Sequence, residues 1–306
     1  MTRTWQRNMV ASKVLMVRPA RFGFNEETAV DNAFQRRLDD VSVAESAVLE
    51  FDAYVRELER HGIDVVVVQD SECPATPDSV FPNNWFSTHR DGTLVLYPIC
   101  APNRRQERKP HALDAIRSNF CVRRLIDLTR WEKEGKYLEG TGSMVLDREM
   151  KMAYCSRSPR TSEEVLREFC REMGYDSILF DAIDAHGTPI YHTNVVMSVG
   201  TSFAVLCGEA IAKPDEYAQV RALLERAGKE VVDISLDQLA HFAGNILELE
   251  NKRGEHFIAM SRSAYSSLTP AQVSVLSRFA ELLPVDIPTI EQIGGGSARC
   301  MLAEVW

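Results

Sequence analysis

Apolar positions along this chain fall in short paired runs, each pair divided by a polar turn. Such runs read as strand, turn, strand. One pair spans 85–97 and turns at Arg90-Asp91-Gly92. The next spans 143–155 and turns near Asp147-Arg148-Glu149. A third spans 195–207, turning at Gly200-Thr201, and a fourth spans 246–260, turning at Lys252-Arg253-Gly254. Each pair is followed by a stretch with helical spacing and then a further short strand: 104–119 then 122–128, 162–173 then 177–180, 215–227 then 230–234, and 270–283 then 285–288. Near the N-terminus, 42–61 has an amphipathic helical pattern and 63–68 a strand pattern.

The repeating unit is therefore strand, strand, helix, strand, with first strands starting near 85, 143, 195, 246 and 299. Spacings of 58, 52, 51 and 53 residues are close enough to be a structural repeat. The fifth unit is split: its first strand, 299–304, finds its partner at 13–18. A chain that pairs its last strand with its first closes a ring and hides its sheet edges. The expected fold is an α/β five-bladed propeller with pseudo-fivefold symmetry, closed by the N- and C-terminal strands, in which residues 1–306 form one catalytic domain.

A ring of repeats brings equivalent positions to one axis. The residues just before or at each first strand are Asn84, Glu139, His192, Asn245 and Cys300. Taken singly, each has a bland reading: a core thiol, a satisfied histidine, a surface carboxylate, two turn-bracing amides. Taken together, they join a thiol, an imidazole and a carboxylate, which nucleophilic catalysis needs as attacking group, proton carrier and orienting anion. Cys300 follows Gly294-Gly295-Gly296, a segment suited to close backbone approach to a ligand. The role of Asn245 stays open at this point.

Composition narrows the partners. The 306 residues carry 35 Lys plus Arg against 44 Asp plus Glu, a net charge of −9. That sign disfavours nucleic acid and anionic membrane surfaces as partners. Residues 1–17 lack an apolar core and cleavage site, so no secretory signal is expected. No apolar run approaches the ~18 residues of a membrane span. Seven cysteines with no CxxC pair indicate neither a zinc site nor a disulfide framework, and most of them read as small core residues. A reducing cytoplasm is the expected compartment. No metal or other cofactor is expected; the oligomeric state is open, and a homo-oligomer is compatible with the sequence.

The segments Phe81-Pro82-Asn83-Asn84-Trp85, Glu139-Gly140-Thr141-Gly142-Ser143, His192-Thr193-Asn194 and Gly294-Gly295-Gly296-Ser297-Ala298-Arg299-Cys300-Met301 resemble the guanidino-group-modifying, or pentein, superfamily. Its members include arginine deiminases, dimethylarginine hydrolases, amidinotransferases and dihydrolases. The resemblance covers about 13–306 and is closest in pattern to the citrulline-utilisation hydrolase branch, with arginine dihydrolases beside it. It implies a propeller fold, Cys300 as nucleophile forming a covalent thiol adduct, His192 as proton shuttle, and Glu139 holding the substrate nitrogens and the histidine. It also implies that Arg160, in Arg160-Thr161-Ser162, grips the substrate carboxylate, a task for which a bidentate guanidinium is suited. Asn25 is a further candidate pocket residue, and Tyr191, beside His192, reads as packing.

The pattern departs from arginine deiminases at two positions. Those enzymes clamp a guanidinium with two aspartates, and the matching positions here are Asn84 and Asn194. A buried cation without anionic partners costs several kcal/mol. An amide supplies a donor and an acceptor but no charge, which matches a neutral ureido group. Citrulline hydrolysis to ornithine, CO2 and ammonia is therefore the first expectation. Arginine dihydrolase or deiminase activity is second, ahead of an amidinotransferase or a non-catalytic amino-acid-binding pentein.

Overall fold

The computed structural model describes residues 10–37 and 42–306. Among these residues the strands form five separate three-stranded sheets. Four follow chain order: Phe86–Thr88, Thr93–Leu96 and Arg124–Asp127; Met144–Asp147, Met152–Ser156 and Asp176–Phe180; Met197–Val199, Phe203–Leu206 and Glu230–Asp233; Leu247–Glu250, His256–Ser261 and Glu281–Val285. The fifth joins the chain ends, with Lys13–Arg18 between Ala303–Val305 and Asp64–Gln69.

Every sheet has one plan. The first two strands form an antiparallel pair, and the third lies parallel to the second. Parallel neighbours need a crossover, and a helix supplies it. In the end-joining sheet, Lys13 faces Val305 on one side and Asp64 on the other. The middle strands are buried on both faces, as in Phe203–Leu206, which explains their near-continuous apolar sequence. Glu163–Met173 shows why the crossovers are helical: Val165, Leu166, Phe169 and Met173 recur on one face and are buried. Fully burying such a side chain contributes about 1.5–3 kcal/mol. Gly174, at φ 67°, ends this helix in the left-handed region that suits glycine.

The expected units are present, with three shifts. The 104–119 stretch is two helices, Pro102–Arg105 and Pro110–Asn119. Pro110 opens the second because it has no N–H to continue the first. The 270–283 helix stops at Leu276, and the strand begins at Glu281, four residues ahead of its expected start. Buried Leu283 and Val285 alternate with less buried neighbours there, a period-two pattern. Pro284 is tolerated because this strand lies at the sheet edge. In the third shift, 299–301 is a single 3-10 turn, and strand pairing starts at Ala303. All seven cysteines are free thiols, but only Cys155, Cys207 and Cys300 are buried, while Cys73 and Cys121 are exposed. Among the described residues, no helix is long and apolar enough to cross a membrane.

Candidate active site

Before each sheet the chain makes one tight turn, and these turns meet. They are Pro82–Asn84, Gly140–Ser143, Thr193–Val196, the turn at 241–244, and Ala298–Met301. The Gly140–Ser143 turn packs on those of Pro82–Asn84 and Thr193–Val196, and Pro82–Asn84 packs on Ala298–Met301. Asn245 links the remaining pair: its Nδ2 donates to Asn194 O at 2.9 Å, and its Oδ1 accepts from Arg299 N at 3.1 Å. Glycine permits the closest approach. A Cβ on Gly142 would lie 2.5 Å from Asn84 Nδ2 and 2.7 Å from His192 Nδ1.

These turns deliver the five residues singled out in the sequence. Glu139 is fully buried. Its Oε1 accepts from Cys100 N at 3.0 Å, while Oε2 faces His192 Nε2 at 2.8 Å and an Arg160 nitrogen at 3.5 Å. Burial alone would raise its pKa; Arg160 and the His192 hydrogen bond outweigh it and hold the carboxyl well below the usual range. His192 is driven down by burial in spite of Glu139, so the imidazole rests neutral. A carboxylate can only accept, so Nε2 carries the proton and Nδ1 keeps its lone pair. This is the form of a general base.

Cys300 is buried at the end of the glycine-rich segment. Asn245 Nδ2 lies 3.2 Å and Asn194 Nδ2 3.5 Å from its sulfur. Asn245, left open by the sequence, thus both joins two turns and contacts the sulfur.

Cys300 and His192 line one cavity of about 250 Å³ with Asn84, Asp78, Arg104 and Arg160. Asp78 and Arg104 were not anticipated. Arg104 lies in a helical stretch rich in arginines, where nothing in the sequence separates it from Arg105 and Arg108, which pair with Glu132. Asp78 lies in a segment without periodicity. In the structure both are buried. Arg104 donates to Glu107 at 2.8 Å and to Asn84 Oδ1 at 2.7 Å. Burial opposes its charge, yet Glu107 and Asp78 push its pKa up, so Arg104 stays cationic. Burial also pushes Glu107 up to about 7 and raises Asp78.

Arg160 lines the cavity as expected, and its guanidinium is engaged: Nε donates to both Asp31 oxygens, at 3.1 and 3.0 Å, and one terminal nitrogen to Thr28 O at 2.9 Å. It also stacks on Tyr191, 4.7 Å from the ring centroid, and the Tyr191 hydroxyl donates to Gly295 O at 2.5 Å. Tyr191 thus packs on Arg160, and it also lines the cavity. Asn25 stands one step behind the cavity wall, donating from Nδ2 to Asp78 Oδ2 at 2.8 Å and bridging to Asn103. Its position there is that of a brace for Asp78. No metal-holding cluster of His, Cys, Asp or Glu occurs among the described residues.

The family model described as N,N-dimethylarginine dimethylhydrolase, eukaryotic, matches residues 18–306. The chain belongs to this family. That family is one of hydrolases, and it places the chain among the penteins. No curated protein matches the chain by sequence. Several solved structures share its fold. The apo structure of ArgZ, an arginine dihydrolase of the ornithine–ammonia cycle in cyanobacteria, superposes with a TM-score of 0.74 at 15% identity, over 96% of this chain and 40% of that one. A cysteine-to-alanine mutant of AgrE with L-arginine gives 0.74 at 18% identity, covering 96% and 40%. The dimethylarginine hydrolase of Pseudomonas aeruginosa, as a cysteine-to-serine mutant with citrulline, gives 0.69 at 15% identity, covering 97% and 100%. This chain thus spans two-fifths of full-length ArgZ.

Proposed function

We propose that this chain is a single-domain ureido hydrolase, its five sheets set as the blades of a ring, that converts citrulline to ornithine, CO2 and ammonia in the cytoplasm. The observation that carries the choice of substrate is the orientation of Asn84. Arg104 can only donate, so the Asn84 oxygen must face it. The Asn84 Nδ2 is buried and has no hydrogen-bond partner among the described residues, and the side chain lines the cavity. Asn84 therefore offers the substrate N–H donors. A guanidinium carries only donors and finds no acceptor there; a ureido oxygen finds a donor. The amino-acid head suits the other wall, where Asp78 Oδ1 is buried and unpartnered beside Arg104.

In this reading neutral His192 takes the proton of the Cys300 thiol as the sulfur attacks the ureido carbon, and negative charge gathers on the ureido oxygen facing Asn84. A hydrogen bond that strengthens with that charge lowers the barrier. Protonated His192 gives its proton to the departing nitrogen, and ammonia leaves. His192 then takes a proton from water as the water attacks the thiocarbamate carbon, and the C–S bond breaks. Ornithine carbamate is released and loses CO2. Citrulline and one water account for all the atoms of the products, and the departing thiolate takes back a proton from His192. Glu139 steadies the imidazole in both charge states.

The decisive assay incubates the protein separately with L-citrulline, L-arginine and N,N-dimethylarginine and quantifies ammonia, ornithine, citrulline and dimethylamine. Ornithine from citrulline with the highest kcat/KM is the expected result. Turnover of either cationic substrate with citrulline untouched overturns the reading.

A further inference from the structure

A second cavity, of about 690 Å³ counting its open mouth, lies on the other side of Asn194 from Cys300. Its walls include the hairpin turns at 147–149 and 199–201, and it shares none of the residues that line the catalytic cavity. Its little-exposed charged lining is balanced, and one more exposed carboxylate, Glu149, joins it. Arg148, Lys229 and Arg299 face Asp147, Glu248 and Glu304, all of them little exposed. Most of these groups are satisfied. Arg148 grips Glu304 with two hydrogen bonds, at 3.2 and 3.0 Å, and Arg299 reaches the same carboxylate at 3.4 Å. Glu248 accepts from Thr201 N and Oγ1 and from His256.

Three groups keep hydrogen-bonding capacity to spare, two of them, Lys229 and Asp147, joined as an ion pair. Asp147 Oδ1 accepts from the backbone N–H of Glu149 and Met150, but Oδ2 accepts nothing among the described residues. Ser198 Oγ, also buried, has no partner there either. Lys229 is 5% exposed, and its ammonium donates one hydrogen bond, to Thr201 O at 2.8 Å, with Asp147 Oδ2 3.4 Å away. Buried polar groups are normally paired, so a cavity edged by a spare acceptor, a spare hydroxyl and spare ammonium N–H groups is shaped for a polar ligand.

We propose that this cavity is a second ligand site for a small zwitterionic α-amino acid. The ligand's ammonium meets Asp147 Oδ2 and Ser198 Oγ, and its carboxylate meets Lys229. Equal numbers of buried cations and carboxylates favour a ligand without net charge; a simple cation or anion would leave one sign in excess. Asn194 links the two cavities: it lines this one, and its Nδ2 lies 3.5 Å from Cys300 Sγ. Occupancy is therefore expected to alter the reactivity of the thiol. The site stands whatever substrate the catalytic pocket takes.

The test is an amide NMR titration of the full chain with glycine, and separately with methylammonium and with acetate, read beside the rate of Cys300 alkylation. Glycine should shift the amides of Glu149, Met150 and Thr201 saturably and change the alkylation rate at least twofold. Both effects should vanish in Lys229→Met and in Ser198→Leu, whose citrulline turnover without glycine stays at the wild-type rate. Three outcomes overturn the proposal: no saturable shift at those amides, shifts confined to 81–84 and 294–296, or shifts that survive both substitutions. Equal responses to methylammonium or acetate alone overturn the zwitterion assignment.

Discussion

Glu139 and Glu304 are both carboxylates inside the molecule, both flanked by two basic side chains, and both held below the usual carboxyl range. In each case burial works against ionisation and neighbouring positive charge wins. Their partners differ. Glu304 sits between two guanidiniums, Arg148 and Arg299. Glu139 sits between one guanidinium, Arg160, and an imidazole, His192. A guanidinium does not release its proton at any working pH, so the Glu304 cluster is electrostatically fixed. An imidazole changes charge near neutrality, so the Glu139 cluster can move a proton. Only the Glu139 end also holds a thiol. A charge-lined cavity becomes a candidate reaction centre through one exchangeable proton and one nucleophile, and the number of ion pairs does not decide it.

The sharpest way to break this comparison is to remove the nucleophile. Cys300→Ala should lower turnover by about 10⁴-fold or more, in the range seen when a catalytic nucleophile is deleted. Thermal unfolding should stay within a few degrees of wild type, because the change is small. A folded Cys300→Ala with wild-type turnover would remove the catalytic assignment of this end altogether.

The next largest effect should come from Glu139→Gln, which keeps the shape and removes the charge. Loss of the group that orients and charges an imidazole costs about 10³–10⁴-fold in a comparable triad. The pH profile separates this from a merely structural effect. Glu139 raises the His192 pKa against the lowering effect of burial. Without it, His192 titrates lower, and the acid limb of kcat/KM moves to lower pH. An acid limb that stays in place would mean that His192 is not the titrating group.

How much of this was legible in the chain follows from the same contrast. The strand–strand–helix–strand repeat was readable because each unit has its own period-two and helical patterns, and because 13–18 and 299–304 had no other partners. The registers of Asn84, Glu139, His192, Asn245 and Cys300 came with the repeat. Arg104 and Asp78 did not, since their role depends on burial against one another. In sequence, Arg104 is one of three arginines between 104 and 108. The engagement of Arg160 by Asp31 was hidden for the same reason: the partners are 129 residues apart and belong to no shared period. Long-range pairs of charges leave no local pattern, whereas strands and helices do.

Asn84→Asp should have a smaller effect, on selectivity more than on rate. One Asp oxygen replaces the amide oxygen against Arg104, and the other puts negative charge where Asn84 now offers N–H donors. A ureido oxygen then meets repulsion and a guanidinium gains an acceptor. The ratio of kcat/KM for citrulline over arginine should fall by about 10- to 100-fold, the worth of one hydrogen bond to a charged group. An unchanged ratio would detach substrate choice from this amide.

The smallest effect on activity should come from Glu304→Gln, and it completes the comparison. This substitution removes the anion shared by Arg148 and Arg299 but touches neither the thiol nor the imidazole. Turnover should stay within about twofold of wild type if the far cluster is purely structural. Stability should fall by about 3 kcal/mol at neutral pH, the cost of leaving buried cations without their partner. The sign of the pH dependence follows from the lowered pKa of Glu304. Its contribution is full above the unfolded carboxyl value of 4.5 and is lost as pH falls through the lower folded value. The gap in Tm between wild type and Glu304→Gln should therefore be widest near pH 7 and close progressively below pH 4.5. A gap that stays constant into acid would show that the Glu304 charge is not what holds the two arginines. A loss of turnover as large as that of Glu139→Gln would show that the two ends of the molecule are one machine.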